Sequence, residues 1–367
     1  MSSEKIKVAK GLEGVVVDTT SISNVHAEKS QLFYRGEEVS HLARNKSFDE
    51  VAYLLMKDGF PSDSELLQFQ KEERHYRAIP DALVETLRGL HKAHPMDALR
   101  TSISYIGALD EERTFDNQPE TNWDKFMRLY AQIPLCIAAH YRLSKGLPVL
   151  DSNADLGRSE NFFYLCFGHL AEPHVIRAFE ASMILYAEHS FNASTFAARV
   201  ISSTTSDLYS AVTGAVGALK GPLHGGANEQ VMYLLQELLA SDLSVEEWLK
   251  TQLSAKRKIM GFGHRVYKKG DSRVPTMQHF LEELAKGAKA DRLLSIHAEL
   301  EKLMREQKNI LPNLDYPAGP AYHMMGFDVP LFTPIFVMSR IVGWSAHLME
   351  QLANNRIIRP LSEYIGR

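Results

Sequence analysis

The chain has 367 residues, of which 45% are hydrophobic and 23% are charged, and this composition is ordinary for a folded globular protein. A length well above that of one typical core predicts two domains. The formal net charge of −4 argues against a general nucleic-acid-binding surface. The two cysteines, Cys136 and Cys166, lack a CxxC spacing, which argues against a disulfide framework or a thiolate metal site.

The N-terminal segment and the apolar stretches carry no targeting or membrane signal. Residues 1–10 contain four Lys or Glu side chains and no apolar run, so no secretory signal is predicted. A membrane helix needs about 18 or more consecutive apolar residues. The longest candidates, 129–141 and 332–348, are too short or are interrupted by Arg340. We therefore predict a cytoplasmic protein with neither a membrane nor a nucleic-acid partner.

Strand signals are confined to the N-terminal part. Residues 15–17 and 32–34 are apolar or β-branched and are separated by a polar segment, which predicts a small β-hairpin. No further series of strands follows, so the sequence predicts a mainly α fold. The helix around 211–219 is rich in Ala and Gly, which is typical of a buried helix or a close helix–helix interface.

Helix starts are marked by caps. In a capping box, a Ser oxygen and a carboxylate three residues later satisfy each other's backbone amides. The spacing occurs at Ser47 with Glu50, Ser62 with Glu65, and Ser244 with Glu247. Thr333 before Pro334 predicts one more start, with Thr as the cap and Pro as the first helical residue, and that helix should run to about Asn354.

Four segments depart from helical periodicity and combine glycine or small residues with His, Asp or Arg. They are 187–195 (AEHSFNAST), 221–228 (GPLHGGAN), 261–273 (GFGHRVYKKGDSR) and 313–319 (NLDYPAG). Glycine lets the backbone turn sharply or approach a ligand, and a histidine in such a turn lies at a helix end. Neither a dinucleotide fingerprint nor a phosphate loop is present, because the third glycine and the Gly-Lys-Ser/Thr ending are missing. Together these segments indicate a catalytic site.

Arginines suggest what the site binds. Arg340 lies in the apolar stretch 332–348, where an unpaired guanidinium is costly. It either forms a salt bridge, for example to Glu350, or binds a substrate carboxylate bidentately. Arg273 and Arg359 accompany the other segments, and the set indicates a small dicarboxylate ligand. A basic cluster comprises Lys256, Arg257, Lys258, Arg265, Lys268 and Lys269. It is either a solvated face or a site for the phosphates of a nucleotide-like carrier.

In this order, GPLHGGAN, GFGHRVYKKGDSR and NLDYPAG resemble the three catalytic segments of citrate synthases, and the resemblance runs from about Gly11 to the C-terminus. AEHSFNAST is similar to the family's oxaloacetate-contacting segment, and RIIRP at 356–360 is similar to its C-terminal arginine motif. The residues after Asp315, Tyr-Pro-Ala-Gly, depart from the pattern, since many relatives have an aromatic residue and a serine there. The resemblance implies a two-domain, citrate-synthase-like helical fold.

The resemblance assigns three catalytic residues. Asp315 would be the general base that removes a proton from the acyl methyl group. His224 would donate a hydrogen bond, as a neutral imidazole, to the thioester oxygen. His264 would polarise the ketone of oxaloacetate. No metal and no permanently bound cofactor would be needed, because arginines and histidines supply the charge stabilisation.

The resemblance also implies binding residues for both substrates. Oxaloacetate would be held by Arg74, His189, Arg273, Arg340 and Arg359, the last from the neighbouring subunit of a homodimer. Coenzyme A, present only as the acyl carrier, would be bound by Arg257, Lys258, Ile259, Met260, Gly261 and Lys268. Residues 1–224 and 327–367 would form a large domain and residues 225–326 a small one, with closure of the cleft excluding water.

Several functional alternatives remain open from the sequence. The implied reaction gives citrate and coenzyme A from acetyl-coenzyme A, but 187–195 and 332–344 also resemble 2-methylcitrate synthases, which use propionyl-coenzyme A. One methylene is worth only about 1–3 kcal/mol in a pocket, so both activities are plausible. Two other classes are a metal-dependent hydrolase built on His189, His224, His264 and Asp315, and an inactive helical binding protein.

Overall fold

Helices account for most of the chain. The computed structural model describes residues 8–110, 116–286 and 291–366, so part of the segment in which no secretory signal is predicted, residues 1–7, lies outside the described residues. The helices are α1 Val39–Asn45, α2 Phe48–Lys57, α3 Asp63–His75, α4 Asp81–Gly89, α5 Pro95–Ala108, α6 Pro119–Ser144, α7 Arg158–Phe167, α8 Pro173–Tyr186, α9 Ala193–Ser202, α10 Leu208–Leu219, α11 Ala227–Ala240, α12 Val245–Ser254, α13 Val274–Ala285, α14 Asp291–Lys308, α15 Asp315–Met324 and α16 Phe332–Ala353. The predicted mainly α fold is confirmed.

The three predicted capping boxes are confirmed at the starts of α2, α3 and α12, where both reciprocal hydrogen bonds are present. The prediction of Thr333 as a helix cap is wrong, because α16 already begins at Phe332. The Thr333 hydroxyl instead contacts the Glu229 carboxylate on α11. Because a buried acceptor lies nearby, the Thr333 side chain makes a tertiary contact instead of capping the helix.

The small sheet is antiparallel, with strands β1 Ser23–His26, β2 Gln31–Tyr34 and β3 Glu37–Glu38 in that order. The hairpin prediction is half right: β2 covers 32–34, but its partner is β1, in the register Val25 opposite Leu32. Residues 15–17 form no strand. A four-residue connection brings β1 onto β2, whereas Val16 remains 87% exposed, so no apolar face holds 15–17 in a sheet.

Helix α16 forms the centre of the core. Every residue from Phe332 to Leu348 is buried, and α16 packs against α2, α5, α6, α8, α9, α10 and α11. Within the described ranges, Val329–Ala353 is the one segment long and apolar enough to cross a membrane, and 94% of its tested stretch is buried inside the fold. The central position of α16 places Arg340 deep in the protein.

The Ala- and Gly-rich helix α10 packs closely against two neighbours. A Cβ atom added at Gly214 would lie 2.2 Å from Ile201 Cδ1 of α9. On the α5 side, a Cβ atom at Gly107 would lie 2.6 Å from Tyr209 Cβ. Real Cβ contacts are never this short, so Gly214 of α10, as the composition of α10 predicted, and Gly107 of the neighbouring α5 permit the close approach.

Candidate active site

The four sequence segments meet in one cleft of about 1820 Å³. Its walls include residues from the extended N-terminal segment, from the turn before α11, from the loop before α13 and from α16. Of the predicted residues, those that line it are His189, His224, His264, Arg273, Asp315, Arg340, Arg257, Lys258, Ile259, Met260 and Gly261. The structure therefore brings together residues that lie more than a hundred positions apart in the sequence.

His224 lies in the glycine turn between α10 and α11. A Cβ atom at Gly225 would lie 2.7 Å from the Leu219 carbonyl oxygen, so only glycine permits this turn. The Ser194 backbone amide donates to His224 Nε2 at 3.3 Å, and the Ser194 hydroxyl lies 2.7 Å from the same atom. Because an N–H group can only donate, Nε2 is the acceptor and a neutral ring carries its proton on Nδ1.

The ring of His224 is neutral around pH 7. Burial, together with the nearby Arg340 charge, lowers the pKa of His224 to about 3. A neutral imidazole with its proton on Nδ1 can donate a hydrogen bond without carrying a positive charge. This geometry fits the stabilisation of negative charge developing on an oxygen in the cleft.

His264 is oriented by its own loop. The backbone amides of Val266 and Tyr267 both donate to His264 Nδ1, at 3.0 and 3.2 Å. Nδ1 is therefore an acceptor, and the neutral ring carries its proton on Nε2. Burial, with the charge of Arg273, lowers the pKa of His264 to about 4. The result is a second neutral imidazole donor in the same cleft.

Asp315 is the first residue of α15. The Tyr186 hydroxyl donates a hydrogen bond to Asp315 Oδ1 at 2.7 Å. Burial raises the pKa of Asp315 to about 6, although the Tyr186 hydrogen bond and the charges of Arg273 and Arg340 act in the opposite direction. A carboxyl group with a pKa near 6 is ionised at neutral pH and is a stronger base than an exposed aspartate.

Arg273 forms a bidentate ion pair with Asp271. Its Nε and Nη2 atoms donate to the two carboxylate oxygens at 2.9 and 2.7 Å. Burial alone would raise the pKa of Asp271, but the Arg273 guanidinium holds it well below its ordinary value. Asp271 Oδ2 also accepts the Leu314 backbone amide at 3.1 Å. This carboxylate therefore ties the His264 loop to the start of the helix that carries Asp315.

Arg340 has no carboxylate partner within 4.0 Å among the described residues. Its Nε atom donates to the Tyr186 carbonyl oxygen at 2.7 Å, whereas Nη1 is buried without a hydrogen-bond partner. The salt bridge to Glu350 considered above is wrong, because Glu350 pairs with Arg199 at 2.9 Å. Burial lowers the pKa of Arg340 to about 10, so the group is cationic at neutral pH. An unpaired buried cation that lines the cleft fits an anionic ligand.

His189 lies between these groups. Its ring centre is 5.0 Å from that of His264, and its Nε2 atom is buried without a partner. Burial, with the charge of Arg273, lowers the pKa of His189 well below its ordinary range. His189 Nε2 and Arg340 Nη1 are thus two unsatisfied polar atoms of cleft-lining residues, where a bound ligand would complete their hydrogen bonding.

Three predicted residues do not line the cleft. Lys268 is exposed and pairs with Glu28 at 3.1 Å, because its side chain points from the loop towards the β1–β2 connection. Arg74 lies in the last turn of α3, with a buried Nε atom that has no hydrogen-bond partner. Arg359 lies on the exposed C-terminal tail, residues 354–366. For these residues a ligand contact stays a prediction.

Two residues that shape the site did not stand out in the sequence. Tyr186 precedes AEHSFNAST directly, yet nothing in its neighbours signals a contact with Asp315, which lies 129 positions away. Ser194 belongs to the segment, and only its approach to His224 across 30 positions shows its role. Segment boundaries drawn around glycine and histidine could not have identified a tyrosine at a helix end.

A basic carboxyl, two neutral imidazole donors and buried arginines in one cleft define an acid–base site for a carboxylate ligand. The family described as "Citrate synthase, C-terminal domain" matches residues 11–361. The chain is 52% identical to a citrate synthase of Mycolicibacterium smegmatis, covering 100% of this chain and 97% of that one. It is 51% identical to a 2-methylcitrate synthase of Mycobacterium tuberculosis H37Rv, covering 99% and 92%.

Solved structures agree. The citrate synthase of the archaeon Thermoplasma acidophilum, solved as a ternary complex with carboxymethyl coenzyme A and oxaloacetate, superposes over 98% of this chain and 97% of that one with a TM-score of 0.93 and 30% identity. The citrate synthase of Pyrobaculum aerophilum superposes with a TM-score of 0.90 at 39% identity, over 98% of this chain and 93% of that one.

The chain therefore belongs to the citrate synthase family, and it is an acyltransferase of the condensing type. The resemblance drawn from the catalytic segments is confirmed. The metal-dependent hydrolase considered from the sequence gains no support, since within the described ranges no group of three or more His, Cys, Asp or Glu side chains is arranged to hold a metal ion.

Proposed function

We propose that this protein condenses acetyl-coenzyme A with oxaloacetate and water to give citrate and coenzyme A, and that it also accepts propionyl-coenzyme A. The observation that carries the proposal is the meeting in one cleft of the basic Asp315 carboxylate with two neutral imidazole donors, His224 and His264. Acyl-coenzyme A is a co-substrate, and the reaction needs no permanently bound group.

The chemistry follows from the proton positions. Asp315 takes a proton from the acyl methyl carbon, and His224 Nδ1–H donates a hydrogen bond to the thioester oxygen as negative charge develops there. The enolate carbon attacks the ketone carbon of oxaloacetate, and His264 Nε2–H supplies a proton to the new hydroxyl. Water then gives one proton back to His264 as its oxygen attacks the thioester carbonyl, and the proton held by Asp315 passes to the leaving sulfur, which releases coenzyme A and a carboxylate.

The buried arginines bind the oxaloacetate carboxylates. Arg340 offers an Nη1 atom that has no partner in the protein, and His189 offers its Nε2 atom. Arg273 is already neutralised by Asp271, so it contributes its orientation and its remaining N–H groups more than net charge. Arg359 would act from the neighbouring subunit of a homodimer, and Arg74 would contribute less directly.

The loop 257–261 is proposed to bind coenzyme A at the mouth of the cleft. Arg257 and Lys258 would provide positive charge, although Arg257 also pairs with Glu237 at 2.7 Å. Gly261, with φ of +85°, turns the backbone. A Cβ atom at Gly261 would lie 2.6 Å from Val231 Cγ2, so the turn tolerates no side chain. Lys268 would have to leave Glu28 before it could contribute.

Residues 225–326 are proposed to move as a small domain against 1–224 and 327–367. Helices α11 to α15 pack largely on one another, with α11 against α14 and α15, and α13 against α15. Closure would bring Asp315 and His264, from the small domain, towards Arg340 on α16 and exclude water during condensation. The protein is proposed to act in the cytoplasm.

The acyl preference is tested by thiol release with oxaloacetate, comparing kcat/KM for acetyl- and propionyl-coenzyme A. Relatives of both names have nearly the same identity to this chain, at 52% and 51%. Because one methylene changes kcat/KM by about 10–200-fold, we expect measurable turnover of both substrates and a ratio within that range. No thiol release with either substrate would contradict the proposed function.

The pH dependence of kcat/KM for the acyl thioester should show one acidic limb near pH 6. Asp315, with a pKa of about 6, must be ionised to accept a proton, so activity should rise as the pH increases through that value. His224 and His264 have pKa values of about 3 and 4, so neither should limit the rate above pH 5. A limb below pH 4.5 would contradict Asp315 as a buried base.

A further inference from the structure

One tyrosine contacts two functional side chains of the cleft, Asp315 and Arg340. Tyr186 is the last residue of α8 and is 1% exposed. Its hydroxyl donates to Asp315 Oδ1 at 2.7 Å, and its backbone carbonyl oxygen accepts Arg340 Nε at 2.7 Å. Its ring packs against Phe336 of α16, with 4.3 Å between ring centres. The proton-accepting carboxylate and the carboxylate-binding guanidinium are thus attached to the same residue.

We propose that Tyr186 is a positioning residue that fixes Asp315 against Arg340, and this inference rests on the function proposed above. With Oδ1 engaged by the tyrosine hydroxyl, Oδ2 is the oxygen that accepts the substrate proton. Held in one rotamer, the carboxylate keeps a set distance from the ligand bound to Arg340. Catalytic groups must keep their geometry to a fraction of an ångström, and a misplacement of about 1 Å can reduce turnover about a hundredfold.

The hydroxyl of Tyr186 is suited to this role because it stays protonated. Burial and the neighbouring Asp315 carboxylate raise the pKa of Tyr186 well above its ordinary value, so it donates at every pH at which the enzyme would work. Its hydrogen bond also favours the ionised form of Asp315 and thereby limits the rise in pKa that burial causes. Position and basicity of the carboxylate are therefore set by one contact.

The test is Tyr186→Phe, which removes the donor and keeps the ring against Phe336. We expect kcat to fall about 10- to 100-fold at pH 7, with the acidic limb of kcat/KM moved to higher pH. KM for oxaloacetate should change less than about threefold. The carbonyl that holds Arg340 belongs to the backbone, so the substitution leaves it in place. If Tyr186 acted only in packing, the acidic limb of kcat/KM would stay at the same pH.

The matched control is Tyr209→Phe. Tyr209 is equally buried and donates to Asp110 Oδ2 at 2.7 Å, but it does not line the cleft. This variant should show any cost in thermal stability of losing a Tyr–Asp hydrogen bond, with the limb unmoved.

A carbon-13 NMR titration of the Asp315 carboxyl, assigned with Asp315→Asn, measures the same effect without turnover. We expect a higher Asp315 pKa in Tyr186→Phe than in the parent protein. An active parent whose Tyr186→Phe variant keeps its rate, limb and Asp315 pKa would overturn the role of Tyr186 alone. A parent that releases no thiol would contradict the proposed function, and the titration would still decide whether Tyr186 sets the state of Asp315.

Discussion

Asp315→Ala should reduce kcat for thiol release by about 100- to 10,000-fold, the range that a positioned general base contributes. The carboxylate is the proposed proton acceptor, and no other described acid with a raised pKa lines the cleft. Affinity for oxaloacetate should remain within a few fold of the parent, because the base acts on the other substrate. Steady-state thiol release and calorimetric titration of oxaloacetate measure the two quantities separately.

The control for Asp315→Ala is Asp81→Ala. Asp81 is also the first residue of a helix, α4, but it is exposed and outside the cleft. Asp81→Ala removes an exposed carboxylate from a helix N-terminus and should cost about 0.3–1 kcal/mol of stability, so it shows what the loss of such a carboxylate does on its own. Only Asp315→Ala should lose turnover, and near-normal turnover in that variant would remove Asp315 from the mechanism.

Arg340→Leu should weaken oxaloacetate binding by about 2–5 kcal/mol, the cost of removing one partner of a buried charged pair. The guanidinium has no carboxylate within 4.0 Å in the described part of the chain, and its Nη1 atom has no hydrogen-bond partner, so a substrate carboxylate can form the direct ion pair that the protein does not supply. Leucine has a similar apolar stem and fits the buried position on α16. Titration calorimetry with oxaloacetate in the absence of acyl-coenzyme A measures the effect.

Arg158→Leu provides the matched comparison. Arg158 on α7 is also buried and donates to backbone carbonyl oxygens, those of Tyr130 and Met338, and it does not line the cleft. This variant should lose thermal stability while its affinity for oxaloacetate stays within a few fold of the parent. Equal affinities for oxaloacetate in Arg340→Leu and the parent would make Arg340 a structural residue.

A buried acid explains how Arg340 is accommodated before any ligand arrives. Glu188 is fully buried, accepts His347 Nε2 at 2.9 Å and Ser23 Oγ at 2.9 Å, and lies close enough to Arg340 for each charge to shift the pKa of the other. A Cβ atom at Gly343 would lie 2.4 Å from Glu188 Oε2, so glycine in α16 makes room for this carboxylate. The charge of Arg340 is therefore partly balanced by that of Glu188, although the two side chains do not form a hydrogen bond.

The amino-acid sequence alone determined the features that depend on near neighbours. The capping boxes at Ser47, Ser62 and Ser244 form as predicted because each involves atoms three residues apart. The helical fold follows from apolar periodicity, and the catalytic segments are distinctive enough to indicate the family that the comparisons confirm.

Only the tertiary structure decided the features that join distant segments. The tautomer of His224 depends on the Ser194 amide, and the orientation of Asp315 depends on Tyr186. The choice of β1 over residues 15–17 as the partner of β2, and the use of Thr333 for Glu229, were likewise set by packing. Such contacts arise because burial forces each polar atom to find a partner among whatever segments the fold brings near, and no local pattern encodes that choice.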